Sequence, residues 1–326
     1  MSEARPDVAA GAAPRPDVAA GAAPRPDVAA GAAPRPRVVF VDGVPMSGLI
    51  AAVDKPKAVV VAFHGGSSTA AYFDCPGHPS LSLLRMGADR GYTMVALDRP
   101  GYGSSAPYPD AMERPEQRIA LTYGAVDKIL GANARGAGLF LVGHSAGCEL
   151  AVRMATDDRA ERTNLIGLEL AGTGVQYHAA MAEIMKAATA TGRPTGLREV
   201  LWQPAELYPP DVLSGMTNSS TGALYEVGMT RSWPRQDFPA LAPQVRVPVQ
   251  FSAAEHERVW RSDADAMAQI TAMFTSSPRF VTNEQPNTGH NMSLSLNAAA
   301  YHSAVLSFVE ECVVAQQNTS EAMEAG

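Results

Sequence analysis

From Arg37 onward, short apolar runs alternate with longer stretches of mixed polarity. Val38–Val41 and Leu49–Val53 flank Asp42-Gly43, which predicts two strands joined at a turn. Nearly continuous apolar runs follow at Ala58–Phe63, Thr93–Leu97, Leu139–Val142 and Leu165–Leu170, and again at Val247–Phe251 and Arg279–Thr282. Strands that are apolar throughout, without alternation, are buried on both faces, as in a parallel sheet covered by helices. Most of the intervals between them read as helical. The last helix is the clearest, with Tyr301, Val305, Phe308, Val309 and Cys312 on one stripe at helical spacing. The pattern predicts an α/β protein: a mainly parallel central sheet flanked by helices.

One interval is too long for a simple crossover. About 75 residues separate the run ending near Ala171 from the one starting near Val247, where a crossover needs only about a dozen. Helical pieces (Met181, Ile184, Met185 and Ala188; Leu197, Val200 and Leu201) are interrupted by Pro204, Pro209-Pro210 and Pro234. Residues 174–245 are therefore expected to form a helical cap inserted in a core of residues 37–173 and 246–326. The first 36 residues differ in kind. Residues 5–34 are three identical copies of Arg-Pro-Asp-Val-Ala-Ala-Gly-Ala-Ala-Pro. Each copy has one sizeable apolar residue, too little to offset chain entropy, so a disordered Pro/Ala-rich tail is expected.

Composition narrows the classes of function. The chain has 326 residues and a formal net charge of −7, with no dense basic run, which argues against a nucleic-acid binder. The longest uninterrupted apolar runs are strand-length, so no membrane span is expected, and the tail lacks the apolar stretch of a signal peptide. Three scattered cysteines, Cys75, Cys148 and Cys312, lack metal-ligand spacing and fit a reducing cytoplasm better than a disulfide-stapled fold. Of the 26 basic residues only four are Lys, a bias that fits a high-GC bacterial genome.

The chemistry concentrates at Gly143-His144-Ser145-Ala146-Gly147, between a predicted strand and a predicted helix. In such an elbow the flanking glycines give room for a sharp turn that exposes Ser145 at the carboxyl edge of the sheet. A serine hydroxyl needs a base. Of seven histidines, His290 lies on a loop after the last strand and before the last helix, free to reach over the sheet edge. The imidazole needs a carboxylate, and Glu255 and Glu257 both leave the penultimate strand, with Glu169 inside an earlier strand as a third candidate. An oxyanion needs N–H donors. Ala146 in the elbow offers one, and Gly66 in His64-Gly65-Gly66-Ser67-Ser68 offers another.

Together, Gly-His-Ser-Ala-Gly around Ser145, His64-Gly65-Gly66 after the third strand, Asp98–Ser105 after the fourth, and His290 in Gly-His-Asn resemble the α/β-hydrolase family, in particular its capped serine hydrolases. The likeness runs from Arg37 to the C-terminus. The order nucleophile, acid, histidine is the one this family uses. The resemblance places the acid at Glu257, because similar members read Gly-x-x-Asp where this chain has Ala254-Glu255-His256-Glu257; Glu255 stays as the alternative. It implies Ser145, His290 and Glu257 as catalytic residues, with Gly66 and Ala146 at the oxyanion hole and no cofactor or metal.

The expected activity is hydrolysis of an ester, thioester or lactone. Met181, Met185, Trp202, Met216 and Trp233 in the cap favour a hydrophobic small-molecule substrate. Two alternatives remain open at the level of sequence: an acyltransferase or macrolactone-forming cyclase using the same acyl-enzyme, and a non-catalytic binding protein on the same fold.

Overall fold

The computed structural model describes residues 33–187, 195–215 and 222–324. The repeats up to residue 32, and with them nearly all of the expected tail, lie outside the described residues, as does Met216.

Eight strands form one sheet in the order β1-β2-β4-β3-β5-β6-β7-β8. They are β1 (Arg35–Val41), β2 (Val44–Ala51), β3 (Val59–Phe63), β4 (Thr93–Leu97), β5 (Leu139–His144), β6 (Leu165–Ala171), β7 (Val249–His256) and β8 (Phe280–Gly289). β1 and β2 pair antiparallel, and β2 pairs antiparallel with β4. From β4 across to β8 every pairing is parallel. The hairpin turn is Asp42-Gly43 with φ of 49° and 82°; two consecutive positive φ values match the twist of the strands they join. Arg35 and Pro36, assigned to the tail from composition, already belong to β1. A proline is tolerated there because β1 is an edge strand whose outer side needs no donor.

The α-helices are α1 (Leu83–Asp89), α2 (Pro115–Leu130), α3 (Gly147–Ala155), α4 (Arg159–Arg162), α5 (Ala179–Ala187), α6 (Leu197–Leu201), α7 (Pro210–Gly215), α8 (Glu226–Ser232), α9 (Phe238–Leu241), α10 (Ala264–Met273) and α11 (Ala298–Glu324). Successive strand residues serve opposite faces. Val59, Val61 and Phe63 join one core cluster with Val126 of α2 and Leu150 of α3, while Val60 and Ala62 join a second with Leu84 of α1 and Val305 of α11. This is why the strands read as continuous apolar runs. In α11 the stripe from Tyr301 to Cys312 is buried as expected. By length and composition Ala298–Thr319 would reach across a membrane; half of that stretch is buried in the core.

Helices α5 to α9 fill the interval between β6 and β7. The strand order reverses between β3 and β5, since the chain runs from β3 outward to β4 and then returns to the other side of β3. Open α/β sheets bind ligands at the carboxyl ends of the strands flanking such a reversal. In this chain those ends carry His64-Gly65-Gly66 and Ser145.

Candidate active site

Ser145 follows β5 and precedes α3, with φ of 52°. A non-glycine residue in this region costs of order 1–3 kcal/mol and persists only where its surroundings enforce it. Here its amide donates to the Ala171 carbonyl at 2.8 Å. A Cβ on Gly147 would stand 2.2 Å from the Phe63 carbonyl oxygen, and one on Gly143 would stand 2.8 Å from Cα of Cys148. The glycines are therefore steric requirements of the turn. A Cβ on Gly65 would come within 3.1 Å of Cβ of Ser145, so the loop after β3 lies directly against the serine. Cys148 is fully buried, and burial pushes its thiol pKa up.

His290 directly follows β8, which runs to Gly289, well beyond the apolar run that marks it in the sequence. Its Nδ1 lies 3.0 Å from each carboxylate oxygen of Glu257. The Glu257 Oε1 also accepts from the amides of Val259 at 2.8 Å and Trp260 at 3.4 Å. Burial alone would raise the Glu257 pKa, but His290 and these amides outweigh it and hold the carboxyl below its usual range. Glu255 is exposed; it accepts from the Asn287 amide at 2.7 Å and approaches His256, not His290. Glu169 is fully buried against Gln250 Nε2 at 2.9 Å and the Tyr301 hydroxyl at 3.1 Å, likewise away from His290. With Nδ1 on the carboxylate, His290 Nε2 is buried and has no hydrogen-bond partner among the described residues.

Ser145 and His290 line the same cavity of about 800 Å³, within the range of roughly 300–1,000 Å³ usual for small-molecule sites. Gly66 and Ala146 line it too, and among the described residues neither of their amides donates a hydrogen bond. Part of the lining comes from the insertion, including Met181, Met185, Trp202, Met229 and Trp233. Trp233 is anchored through its indole N–H, which donates to Thr173 Oγ1 at 2.9 Å.

The sequence model of the "Alpha/beta hydrolase family" matches residues 59–304, more than half of the chain. The chain belongs to the α/β-hydrolase family. It is thus a hydrolase enzyme, on the fold that its strand pattern and motifs lead one to expect. No curated protein matches it in sequence. Among solved structures, a "Lipase (Open form)" superposes with a TM-score of 0.62 at 15% identity, covering 86% of this chain and 99% of that one. A carboxyl esterase from Bacillus coagulans gives 0.62 at 15%, with the same coverages. A thioesterase domain from the curacin biosynthetic pathway gives 0.56 at 18%, covering 84% and 99%. At these identities the likeness is one of fold.

Several residues of this hydrolase's cavity region escape sequence reasoning. His144 sits in the elbow, stacked on Tyr72 at 4.4 Å between centroids, with Nε2 2.9 Å from the His290 carbonyl oxygen. Burial, and then the nearby His290, push its pKa down to about 3. The ring is therefore neutral near pH 7, and a carbonyl partner requires that Nε2 carry the proton. Gly172, at φ 65°, leaves space that a Cβ would take within 3.0 Å of His290 Cε1. Its signal in the sequence is slight: a glycine just past a strand end.

Proposed function

We propose that this chain is a serine hydrolase that cleaves an ester, thioester or lactone of an apolar small molecule through an acyl-enzyme on Ser145. The observation that carries the reading is His290, held at Nδ1 by Glu257 while its unpartnered Nε2 shares a cavity with Ser145. In this reading Nε2 takes the Ser145 proton as the hydroxyl attacks the acyl carbon, then gives it to the leaving group. Glu257 holds the tautomer and stabilises the imidazolium that forms. The Gly66 and Ala146 amides receive the oxyanion, the latter at the positive end of α3. Water then attacks the acyl-enzyme with His290 again as base.

The helical insertion acts as a cap that holds the acyl portion of the substrate, and its apolar wall supports a hydrophobic acyl group over a charged one. Three buried cysteines without a disulfide support a reducing compartment, the cytoplasm.

The test is labelling of the intact protein with a fluorophosphonate, followed by mass spectrometry of peptides. A single adduct on Ser145 is expected, together with turnover of apolar esters. An unlabelled Ser145 in folded protein would overturn the reading.

A further inference from the structure

The loop that carries Gly66 is held by a network reaching into the insertion. The Gly65 carbonyl oxygen lies 2.7 Å from His64 Nδ1 and accepts from Arg99 Nη2 at 3.1 Å. The Arg99 amide donates to His64 Nε2 at 3.0 Å, so Nε2 holds the lone pair and Nδ1–H donates to Gly65. A trans peptide points its C=O and N–H in opposite directions. Pinning the Gly65 oxygen on the His64 and Arg99 side therefore turns the Gly66 N–H the other way, and Gly66 is exposed at the cavity. The next amide is withdrawn: Ser67 N–H donates to the Tyr102 hydroxyl at 3.0 Å.

A single carboxylate governs both anchors. Glu226 of α8 accepts from Arg99 Nη2 through Oε1 and from the Tyr102 hydroxyl through Oε2 at 2.6 Å. The Arg99 side chain is fully buried and that of Glu226 is 13% exposed. Arg99 Nε and Nη1 have no hydrogen-bond partners among the described residues. Glu226 is thus the countercharge of a buried cation, and losing it draws the guanidinium toward water and away from Gly65. The neighbouring segment is seated on the same loop. Tyr225 donates to the Pro100 carbonyl at 2.8 Å and lies under the Arg118 guanidinium at 4.0 Å, while a Cβ on Gly101 would strike Ala223.

We propose that Arg99 and Glu226 are a positioning pair for the oxyanion loop, aiming the Gly66 N–H at the reacting carbonyl only when the insertion is seated on the core. The inference rests on the serine-hydrolase reading. Arg99 does not line the cavity, and Glu226 reaches its wall beside Gly66; the role assigned to both is exercised through the Gly65–Gly66 peptide. Cap docking and transition-state stabilisation are then one event, since the charge that ties α8 down also sets the donor.

A thionoester distinguishes positioning from mere structural support. Its sulfur accepts hydrogen bonds weakly, so it gains little from a well-aimed hole, and the ratio of ester to thionoester turnover reports the aim. Each variant is measured well below its own melting temperature. Glu226→Ala is expected to lower kcat for an apolar ester about 30-fold with little change in KM, less than the 10²–10³ of deleting an oxyanion donor. The ester/thionoester ratio should fall about tenfold, and Glu226→Gln, whose amide oxygen still accepts from Arg99, should restore most of it. Arg99→Lys, whose ammonium ends one bond short of the Nη2 that makes both contacts, should behave like Glu226→Ala even if the latter folds poorly. His78→Ala breaks a different tie to the insertion, the contact of His78 with Asp211 of α7 at 2.8 Å, and should leave the ratio unchanged. An unchanged ratio in Glu226→Ala and Arg99→Lys, with Ser145 of the wild type labelled by fluorophosphonate, overturns the positioning role alone. Absence of labelling in the wild type removes the hydrolase reading on which it rests.

Discussion

At the scale of single residues, the proposed chemistry turns on which atoms are satisfied and which are left open. Ser145→Ala removes the nucleophile without disturbing the backbone turn, so turnover and labelling should vanish while the melting temperature holds. Activity that survives in pure protein would remove Ser145 from the mechanism. Glu257→Gln keeps the side chain's shape but offers His290 a wrong partner, and a loss of about 10²–10⁴ in kcat is expected by analogy with other triads. Among the described residues Glu255 meets the Asn287 amide and approaches His256, so kcat of Glu255→Gln should stay within about twofold. The reverse ordering of these two variants would reassign the acid. His144→Phe preserves stacking on Tyr72 but removes the donor to the His290 carbonyl. About a tenfold loss in kcat/KM is expected, equivalent to ~1.4 kcal/mol of transition-state stabilisation.

At the scale of elements, α3 and the carboxyl ends of β3, β5, β7 and β8 carry the candidate site residues, and helices between β6 and β7 line the same cavity. Met181 and Met185 of α5 line the same cavity as Ser145. Met185→Trp should fill space that a long acyl chain occupies. In a series of p-nitrophenyl esters, kcat/KM for the longest chains should fall about tenfold or more while the acetate changes little. A uniform loss across the series would mean that α5 supports the fold and does not measure the chain.

For the whole molecule, buried titratable groups set how stability depends on pH. Burial drives His144 and His302 down to about 3, and burial together with Arg99 drives His64 well below 6.5. These rings are neutral in the folded state and take up protons on unfolding at acid pH. Their contribution is present above the unfolded value of 6.5 and is lost as pH falls toward the folded values. Glu257, lowered in the native state, acts in the same direction at lower pH. Glu169 works the other way. Burial, only partly offset by its hydrogen-bonding partners, raises its pKa from 4.5 to about 8. Its stabilising neutral form is fully present below 4.5 and is lost as pH rises toward 8. Between 4.5 and 6.5 the histidines outnumber it, and above 6.5 it acts alone among these groups. The melting temperature should therefore peak near pH 6.5 and decline toward pH 8. Calorimetry on Glu169→Gln should show that decline flattened. A variant that still falls as steeply as the wild type would clear Glu169 of the effect.

Much of this protein was legible before any coordinates. Apolar runs flag buried parallel strands because both faces of such a strand meet helices, and β3 to β7 duly follow them, as does the start of the edge strand β8. The hairpin at Asp42-Gly43 was legible because local sterics alone demand positive φ there. The elbow was legible because a sharp strand-to-helix turn needs glycine at fixed offsets from Ser145. Strand ends were less so: β8 continues through polar residues to Gly289, since hydrogen bonding to β7, not hydrophobicity, extends it. Arg35 and Pro36 were hidden for the same reason at the opposite edge. The pairing of His290 with Glu257 over Glu255 could be chosen from the sequence only through family resemblance. Which carboxylate turns inward depends on how the chain leaves β7, a matter of tertiary packing. Arg99, His144, Gly172 and Glu226 were not visible as site residues at all. Their partners lie 34, 146, 118 and 127 positions away along the chain, at Gly65, His290, His290 and Arg99. Local sequence determines what the backbone does over a few residues. Only the folded sheet and its insertion decide which distant charges and carbonyls meet, because those contacts are made by elements that have no knowledge of one another until they pack.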